Sequence, residues 1–204
     1  MTDPLQQFAV WFAQAQAAEL NDPGACALAT VFTGADGVPQ PDVRIVLVRA
    51  FDARGFVFHT NYRSEKGRQI GAIPRAALAF HWKSLRRQVR AGGPVERIAA
   101  DESDSYFAQR PRANQLSAWA SLQSQPLDDR ASYTARLAEM DARYPGEVPR
   151  PAHWGGFRLA PDWIEYWEDR EGRQHHRTRW DRVAAPGMRG GADSGSWVSG
   201  LLYP

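Results

Sequence analysis

Apolar and polar residues alternate over much of this chain, and short apolar runs stand between turn residues, a pattern typical of β-strands. The predicted strands are Cys26–Phe32, Val43–Phe51, Gly55–Thr60, Ala76–Trp82, Arg87–Ile98, Phe157–Leu159, Trp163–Trp167 and Gln174–Trp180. In the fifth of these runs, Gly92-Gly93 predicts a bulge or bend, because a glycine inside a strand often marks one.

Helical spacing of apolar residues occurs at the start of the chain and again in its middle. Residues 3–20 are predicted to form an amphipathic helix, in which Asp3 caps the first turn and Pro4 suits it. Phe8, Trp11 and Phe12 then recur at helical spacing. The other predicted helices are Ser64–Ile70, Asp101–Gln109, Ala113–Leu122 and Asp129–Tyr144.

The order of these elements predicts the fold class. The strands follow one another in hairpin order, without strand–helix–strand alternation, so we expect an antiparallel sheet closed into a barrel with helices packed outside. The fold is therefore expected to be mainly β with peripheral helices, an α+β arrangement. Residues 1–204 are expected to form a single domain, with a mobile loop at about residues 184–196, where Gly, Ala and Ser are concentrated.

Composition and charge narrow the classes of function. The net charge of +2 is small and the basic residues are dispersed, so no nucleic-acid partner is expected. The lone Cys26 excludes an internal disulfide and fits a reducing compartment. No apolar run reaches the roughly 18 residues of a membrane helix, and the N-terminus does not resemble a signal peptide. A soluble, cytoplasmic protein without a membrane partner is expected.

Candidate chemistry is densest near the C-terminus, in Arg173-Gln174-His175-His176-Arg177. A strand turns successive side chains to opposite faces, so Arg173, His175 and Arg177 are predicted to share one face. These groups repel one another unless an anion lies among them, and arginine suits bidentate capture of phosphate or carboxylate. A solvated edge strand with scattered charge is the alternative interpretation. Since His176 would point the opposite way, the two histidines cannot bind one metal.

Two earlier segments also offer contacts to an anion. Arg44 and Arg49 bracket an apolar run, where an unpaired buried charge would be costly, although both could instead reach solvent past the strand ends. The segment Thr60–Gly67 joins a strand end, a polar turn and a helix start, and includes Lys66. Hydroxyls, backbone N–H groups and one lysine in this arrangement can form an anion site.

The middle of the chain adds groups that could contact an aromatic ring. Tyr106 and Arg110 lie four residues apart on a predicted helix, either as a surface pair or as a clamp on a ring and its phosphate. Gln88, Gln123 and Ser124 could hydrogen-bond a heterocycle. No Gly-rich phosphate loop, metal-ligand spacing, nucleophile elbow or paired-carboxylate signature occurs. An organic cofactor is therefore the expected carrier of the chemistry.

Nine motifs, none of them diagnostic alone, follow in a specific order within a match that runs from about Asp3 to Pro204. They are Asp22-Pro23, Arg44-Ile-Val-Leu-Val-Arg49, Thr60-Asn61 with Ser64-x-Lys66, Arg87-Gln88-Val89, Tyr106-Phe107-x-x-Arg110-Pro111-Arg112, Ala118-Trp119-x-Ser121-x-Gln123-Ser124, Trp154-Gly155-Gly156-Phe157-Arg158, Ile164-Glu165-x-Trp167 and Arg173-x-His175-x-Arg177. Taken together, they resemble the pyridoxamine 5′-phosphate oxidase family.

The resemblance implies a homodimeric, FMN-binding, antiparallel split β-barrel, with each flavin bound between the subunits and with no metal. Arg173 and His175 would be the catalytic residues, over the pyridine ring of the substrate. The implied FMN-binding residues are Arg44, Ile45, Val46, Leu47, Arg49, His59, Thr60, Lys66, Gln88, Gln123, Ser124, Trp167 and Arg177. Among them, Arg44 and Lys66 would hold the FMN phosphate. The implied substrate-binding residues are Arg49, Tyr106, Arg110, Asn114, Arg173 and His175.

The reaction that the resemblance implies moves a hydride from C4′ of pyridoxamine or pyridoxine 5′-phosphate to N5 of the flavin. Oxygen then reoxidises the flavin, giving pyridoxal 5′-phosphate and hydrogen peroxide, with ammonia when the substrate is the amine. The chain would thus be an oxidoreductase acting on CH–NH2 donors with oxygen as the acceptor.

Several positions depart from the pattern of the family and leave the substrate open. The Phe32–Val43 connection and the stretch before Trp197 are also longer than usual. The chain could instead be a diverged FMN oxidase of another aromatic anion, such as a dihydrophenazine carboxylate, or a non-catalytic flavin-binding protein. The substituted positions are Arg49 for a common lysine, Glu65 for a basic residue, Asn114 for a serine, Gln174 for a leucine and Leu201 for an arginine.

Overall fold

Nine strands, five helices and a short 3-10 turn at Glu171–Arg173 make up the computed structural model, which describes residues 3–183 and 196–204. The strands are β1 Ala25–Thr33, β2 Pro39–Asp52, β3 Gly55–Asn61, β4 Arg75–Trp82, β5 Arg87–Arg97, β6 Trp154–Leu159, β7 Trp163–Glu168, β8 His176–Val183 and β9 Ser196–Leu202. The helices are α1 Pro4–Ala18, α2 Glu65–Ala72, α3 Ala100–Ala108, α4 Arg112–Ala120 and α5 Arg130–Arg143.

Six of the strands close into an antiparallel barrel, which confirms the predicted fold class. They follow one another in the order β4, β1, β2, β3, β6, β5, and pairing of β4 with β5 closes the ring. Strands β7, β8 and β9 extend the sheet from β5. Alternate side chains of the barrel strands point inward, and residues such as Leu28, Phe58 and Val89 are fully buried there.

The predicted bend at Gly92-Gly93 is present and lets β5 pair with two different strands along one of its edges. Before it β5 pairs with β7, ending at Gly92 opposite Trp163, and after it β5 pairs with β6, beginning at Val95. A Cβ atom on Gly92 would lie 2.6 Å from the Trp163 ring, so the close approach requires glycine. Pairing with β4 continues through this point without a shift, so the feature is a bend and not a bulge.

Most predicted elements are confirmed within a few residues, but three differences matter. About half of the Phe32–Val43 connection is strand, since β1 runs to Thr33 and β2 begins at Pro39. Strand β8 begins at His176 rather than Gln174. Strand β9 was not predicted. The loop expected at about 184–196 falls on residues 184–195, which lie outside the described residues, apart from Ser196 at the start of β9.

Helix α1 packs its apolar face onto the barrel core, as its spacing predicted. The carboxylate of Asp3 accepts a hydrogen bond from the Leu5 backbone N–H at 2.8 Å and caps the helix. Phe8 is fully buried, and its ring meets those of Phe56 and Phe80 at 4.8 and 5.1 Å between centroids. This aromatic burial attaches the helix to the barrel.

The middle helices form a second apolar cluster, attached to the barrel by charged contacts as well as by packing. Phe107 of α3, Leu116 of α4 and Met140 of α5 are buried around Trp154 of β6. The side chain of Arg158 on β6 is 3% exposed, and it donates to Asp52 Oδ1 at 2.8 Å and to Glu102 Oε2 at 3.1 Å. Because Glu102 lies on α3, this partly buried contact links the helical unit, which consists of α3, α4 and α5, to the barrel.

Two kinds of feature are absent from the described residues. Within residues 3–183 and 196–204, no helix combines the length and the apolar character that crossing a membrane requires. The same residues contain no group of three or more His, Cys, Asp or Glu side chains arranged to hold a metal ion.

Candidate active site

A cavity of about 780 Å³ lies where strands β2 and β3 face the helical unit. Its walls bring together residues that are far apart in sequence, including many that the resemblance implied. The predicted residues among its lining are Ile45, Val46, Leu47, Arg49, His59, Thr60, Lys66, Tyr106, Arg110, Asn114 and Gln123. The other predicted residues do not line it: these are Arg44, Gln88, Ser124, Trp167, Arg173, His175 and Arg177.

Some lining residues were not assigned a binding role from the sequence, although several stand in its motifs. Ser117, Ala118 and Ser121 follow Asn114 at intervals of three and four, so they continue the face of α4 that Asn114 begins. Helical spacing from Asn114 could have identified them. The remaining lining residues are Asn61, Gln109, Pro111 and Trp154.

An aromatic stack forms one wall of the cavity. The His59 ring lies 3.9 Å from the Tyr106 ring and 5.3 Å from the Trp154 ring, with interplanar angles of 15° and 14°. The guanidinium of Arg110 lies 4.5 Å from the Trp154 ring centroid, in cation–π geometry. The stack therefore fixes both Tyr106 and Arg110 in this wall of the cavity.

The ionisable groups of this wall have no anionic partner among the described residues. Arg110 Nη1 and both ring nitrogens of His59 are buried without a hydrogen-bond partner. Burial, together with the charges of Arg110 and Arg49, lowers the pKa of His59 to about 4. The imidazole is therefore neutral at neutral pH, and the positive charge on this side of the cavity comes from Arg110 and Arg49.

Arg49 reaches the cavity through a bulge in β2. The pairing of β2 with β3 shifts between Val48, which lies opposite Phe58, and Ala50, which lies opposite Val57. The extra residue is Arg49, and a bulge re-aims the side chain that it carries. The sequence alone did not predict this irregularity.

Lys66 stands at the start of α2, in a turn that the loop after α4 contacts. Ser64 caps the helix, with its hydroxyl 3.3 Å from the Gly67 backbone N–H. Gln123 Oε1 accepts from Lys66 Nζ and from Thr60 Oγ1, at 3.3 Å each. Burial, and then the charge of Arg44, lower the pKa of Lys66, so this ammonium group lacks a full counter-ion.

Ser124 and Glu65 meet at the same turn. Ser124 Oγ accepts from the Glu65 backbone N–H at 3.1 Å, so Ser124 contacts the turn although it does not line the cavity. The Glu65 carboxylate is turned to Arg68, which donates to it at 2.5 Å. Glu65, which stands where the family commonly has a basic residue, is thereby paired within its own helix.

Arg173 and His175 do not share a strand face with Arg177, and that prediction was wrong. Arg173 ends the 3-10 turn Glu171–Arg173 with a positive φ of 59°, directly after Gly172 at 61°. Two successive left-handed residues break the alternation of a strand, and one of them is not glycine. Strand β8 begins only at His176. This backbone, rather than strand register, places the Arg173 and His175 side chains.

His175 is held by two neighbours. Its ring lies 4.5 Å from the ring of Trp167, and its Nδ1 lies 2.9 Å from Asp169 Oδ1. The backbone N–H of Arg170 also points at Nδ1, at 3.4 Å. The shorter contact to the carboxylate is the stronger, so we assign the proton to Nδ1, which leaves Nε2 as an acceptor.

Arg177 and Gln88 lie with Trp167 across three neighbouring strands, where Trp167 is the partner of Gln88 on β5 and of Arg177 on β8. The guanidinium of Arg177 donates twice to Glu165 Oε1, at 2.8 and 3.0 Å. Burial alone would raise the pKa of Glu165, but hydrogen bonds from Arg90 and Arg177 outweigh it and lower the pKa. We call Gln88, Trp167, Arg173, His175 and Arg177 the C-terminal cluster.

Comparison with known proteins places the chain in a family. Residues 12–144 match the family model described as pyridoxamine 5′-phosphate oxidase, and residues 154–204 match the model of the pyridoxine 5′-phosphate oxidase C-terminal dimerisation region. The chain belongs to the pyridoxamine 5′-phosphate oxidase family. The C-terminal cluster, apart from Gln88, lies within the region matched by the dimerisation model.

Relatives in this family are similar over nearly the whole chain. The pyridoxine/pyridoxamine 5′-phosphate oxidase of Gluconobacter oxydans is 48% identical over 203 residues, which cover 99% of this chain and 94% of the relative. The protein of the same name from Bordetella avium is 52% identical over 177 residues, covering 87% of this chain and 82% of the relative.

A solved structure with the same fold supports the barrel architecture. PhzG from Burkholderia lata, crystallised with tetrahydrophenazine-1-carboxylic acid, aligns with a TM-score of 0.86 and 29% identity, covering 100% of this chain and 94% of that protein. The lower identity separates this neighbour from the relatives named as pyridoxine/pyridoxamine 5′-phosphate oxidases.

Proposed function

We propose that this protein is an FMN-dependent oxidase that converts pyridoxamine 5′-phosphate or pyridoxine 5′-phosphate to pyridoxal 5′-phosphate, with oxygen as the acceptor. One observation carries the proposal: a single cavity has Lys66 with Thr60 and Gln123 on one side, and Tyr106 with Arg110 on another. Two anion-binding positions in one cavity suit a phosphorylated cofactor and a phosphorylated substrate. The identity of nearly half of all residues to oxidases of that name supports the same substrate class.

The residues present fit FMN. Lys66 is a half-buried ammonium group whose pKa is lowered by burial and by the charge of Arg44, and a phosphate would supply a counter-ion. Thr60, Gln123 and Ser124 offer hydroxyl and amide groups beside it. The apolar side chains of Ile45, Val46 and Leu47 line the cavity and can pack against a flat ring. When bound, FMN supplies the two-electron acceptor for the substrate and passes the electrons to oxygen.

The substrate would be held by the aromatic stack and the cations beside it. Tyr106 and Arg110 would bind its phosphate, with Asn114 close by on α4, and the unpartnered Arg110 Nη1 would gain an acceptor. His59 is neutral there and packs without adding charge. His175, with its proton assigned to Nδ1, would present Nε2 to the substrate. Arg173 would stabilise the negative charge that develops on the flavin during hydride transfer.

A second subunit would complete the site. The C-terminal cluster is absent from the lining of the cavity, yet it contains Arg173 and His175, which the resemblance assigns to the substrate ring. The match of residues 154–204 to a dimerisation region supports a homodimer in which the cluster of one subunit faces the cavity of the other. Exposed apolar side chains on β9, among them Val198 and Leu201, are available for such an interface.

Weakening the dimer is therefore expected to release FMN. In Val198→Asp, a charge replaces an apolar side chain that is 56% exposed on β9. Because ligand binding and association are linked, the variant should lose FMN over the concentration range in which it becomes a monomer. Sedimentation velocity recorded at the flavin absorbance measures both the amount of bound FMN and the association state of the protein that carries it. The control Val10→Asp changes a side chain that is 57% exposed on α1 and should remain a flavin-loaded dimer. A monomer fully loaded with FMN would refute the shared site.

Oxygen consumption by the purified protein tests the proposed function. With FMN present, pyridoxamine 5′-phosphate and pyridoxine 5′-phosphate should each drive oxygen uptake and yield pyridoxal 5′-phosphate. Unphosphorylated pyridoxamine should be a far weaker substrate, since Arg110 then has no anion to bind. Uptake only with a dihydrophenazine carboxylate would favour the diverged oxidase, and no uptake with any substrate would favour a flavin-binding module.

A further inference from the structure

Arg44, the residue that the family resemblance assigns to the cofactor phosphate, already has its terminal donors occupied. Nη1 donates to Thr30 Oγ1 at 2.5 Å and to Leu28 O at 3.3 Å. Nη2 donates to Gln69 Oε1 at 2.8 Å and forms an ion pair with Asp42. Each terminal nitrogen carries two hydrogens, so all four are directed at protein atoms. A phosphate could take a terminal donor of Arg44 only by replacing one of these acceptors.

Asp42 is the acceptor that resembles a phosphate most. Asp42 and Arg44 lie two residues apart on β2 and so share a face, with Thr30 of β1 opposite Asp42. Gln69 of α2 donates from Nε2 to Asp42 Oδ2 at 2.9 Å and fixes the carboxylate. That hydrogen bond and the charge of Arg44 lower the pKa of Asp42, so it is ionised at neutral pH. The guanidinium of Arg44 is therefore already paired with the fixed negative charge of Asp42.

The pair also acts on the cavity through Lys66. The charge of Arg44 lowers the pKa of Lys66 and the charge of Asp42 raises it, so both lie within electrostatic reach of that ammonium group. Asp42 is 35% exposed and Arg44 is 18% exposed, which leaves the pair accessible from outside. Glu65, the other carboxylate near this turn, is turned to Arg68. Asp42 is thus the carboxylate that an incoming phosphate at Arg44 would meet.

We propose that Asp42 competes with the cofactor phosphate for Arg44 and thereby sets the affinity of this protein for FMN. This inference rests on the proposed function. Carboxylate and phosphate both prefer the planar donor fork of arginine, and a dianion beside a fixed carboxylate is repelled. When FMN binds, Arg44 releases the carboxylate of Asp42 and binds the phosphate instead. The phosphate group of FMN is therefore the part of the cofactor that competes with Asp42.

Titration of flavins into the apoprotein tests this inference, with quenching of flavin fluorescence as the readout. Asp42→Asn keeps the size of the side chain and an oxygen for Gln69 but removes the charge. It should lower the Kd for FMN by about tenfold, and the gain should shrink as salt is added. The Kd for riboflavin, which lacks the phosphate, should stay within about twofold of the parent protein.

Asp36→Asn is the matched control. Asp36 is an exposed residue in the turn of the same β1–β2 hairpin, where its carboxylate accepts from the Val38 backbone N–H at 3.0 Å, a contact that asparagine can keep. It changes the net charge equally and should leave both Kd values unchanged. Asp42→Ser, a second variant without the charge, guards against a local distortion specific to asparagine, and thermal unfolding of each variant confirms that it is folded.

The outcomes separate this inference from the proposed function. If folded Asp42→Asn and Asp42→Ser bind FMN no more tightly than the parent, Asp42 holds Arg44 in place and does not compete with phosphate. Equal tightening of FMN and riboflavin would also overturn the inference, because the phosphate would then play no part. A parent protein that binds neither flavin overturns the proposed function and this inference together.

Discussion

Replacing Arg173 with alanine is expected to lower kcat/KM for pyridoxamine 5′-phosphate by about a hundredfold or more while FMN stays bound. Loss of one group that stabilises charge in a transition state typically costs a factor of about 10² to 10³. Arg173 follows Gly172 in a left-handed conformation, a backbone strain that often marks functional positions. Alanine and arginine incur a similar cost in that conformation, so the fold should be little affected.

The matched control for this variant is Arg170→Ala. Arg170 lies just before the same 3-10 turn, and its exposed side chain is paired with Glu168. It should keep nearly full activity, because it is not among the residues assigned to the substrate. Steady-state rates at saturating FMN, with flavin content measured in parallel, give the comparison. Normal turnover by Arg173→Ala would remove Arg173 from the catalytic pair, and loss of flavin would instead place it in the cofactor site.

Replacing Lys66 with alanine is expected to weaken FMN binding by about 10- to 150-fold. A hydrogen bond to a charged partner contributes about 1.5–3 kcal/mol, and Lys66 is the cation of the turn that lines the cavity. Its lowered pKa adds to the expectation, because a phosphate would favour the charged form that burial disfavours. Titration of FMN into the apoprotein gives the Kd directly.

The other lysine of this chain provides the control for that experiment. Lys83 is exposed in the turn between β4 and β5 and does not line the cavity. Lys83→Ala removes the same charge and should bind FMN like the parent. Because Arg44 is engaged by Asp42, it is not expected to replace Lys66. If Lys66→Ala binds FMN as tightly as the parent, the phosphate lies elsewhere.

Much of the barrel and one wall of the site could be predicted because local sequence determines them. Hairpin order and alternation predicted the strands that form the barrel, and helical spacing predicted the face of α3 that carries Tyr106 and Arg110. The turn that presents Lys66 was predictable from a strand end followed by a capped helix. These features depend on residues close together in sequence.

The features that sequence did not predict depend on pairing between distant segments or on unusual backbone angles. The bulge that directs Arg49 into the cavity exists only in the register of β2 against β3. The placement of Arg173 follows from two positive φ angles, which alternation could not predict. The pairing of Arg44 with Asp42 is completed by Gln69, which approaches from α2.

The most direct test of the proposed activity is a single turnover without oxygen. FMN-loaded protein is mixed anaerobically with pyridoxamine 5′-phosphate, and the visible absorbance of oxidised flavin is followed while pyridoxal 5′-phosphate is quantified. We expect the absorbance to disappear, with about one pyridoxal 5′-phosphate formed per flavin, and to return when oxygen is admitted. Flavin absorbance that persists with both phosphorylated substrates, or that disappears only with a dihydrophenazine carboxylate, would contradict the proposed function.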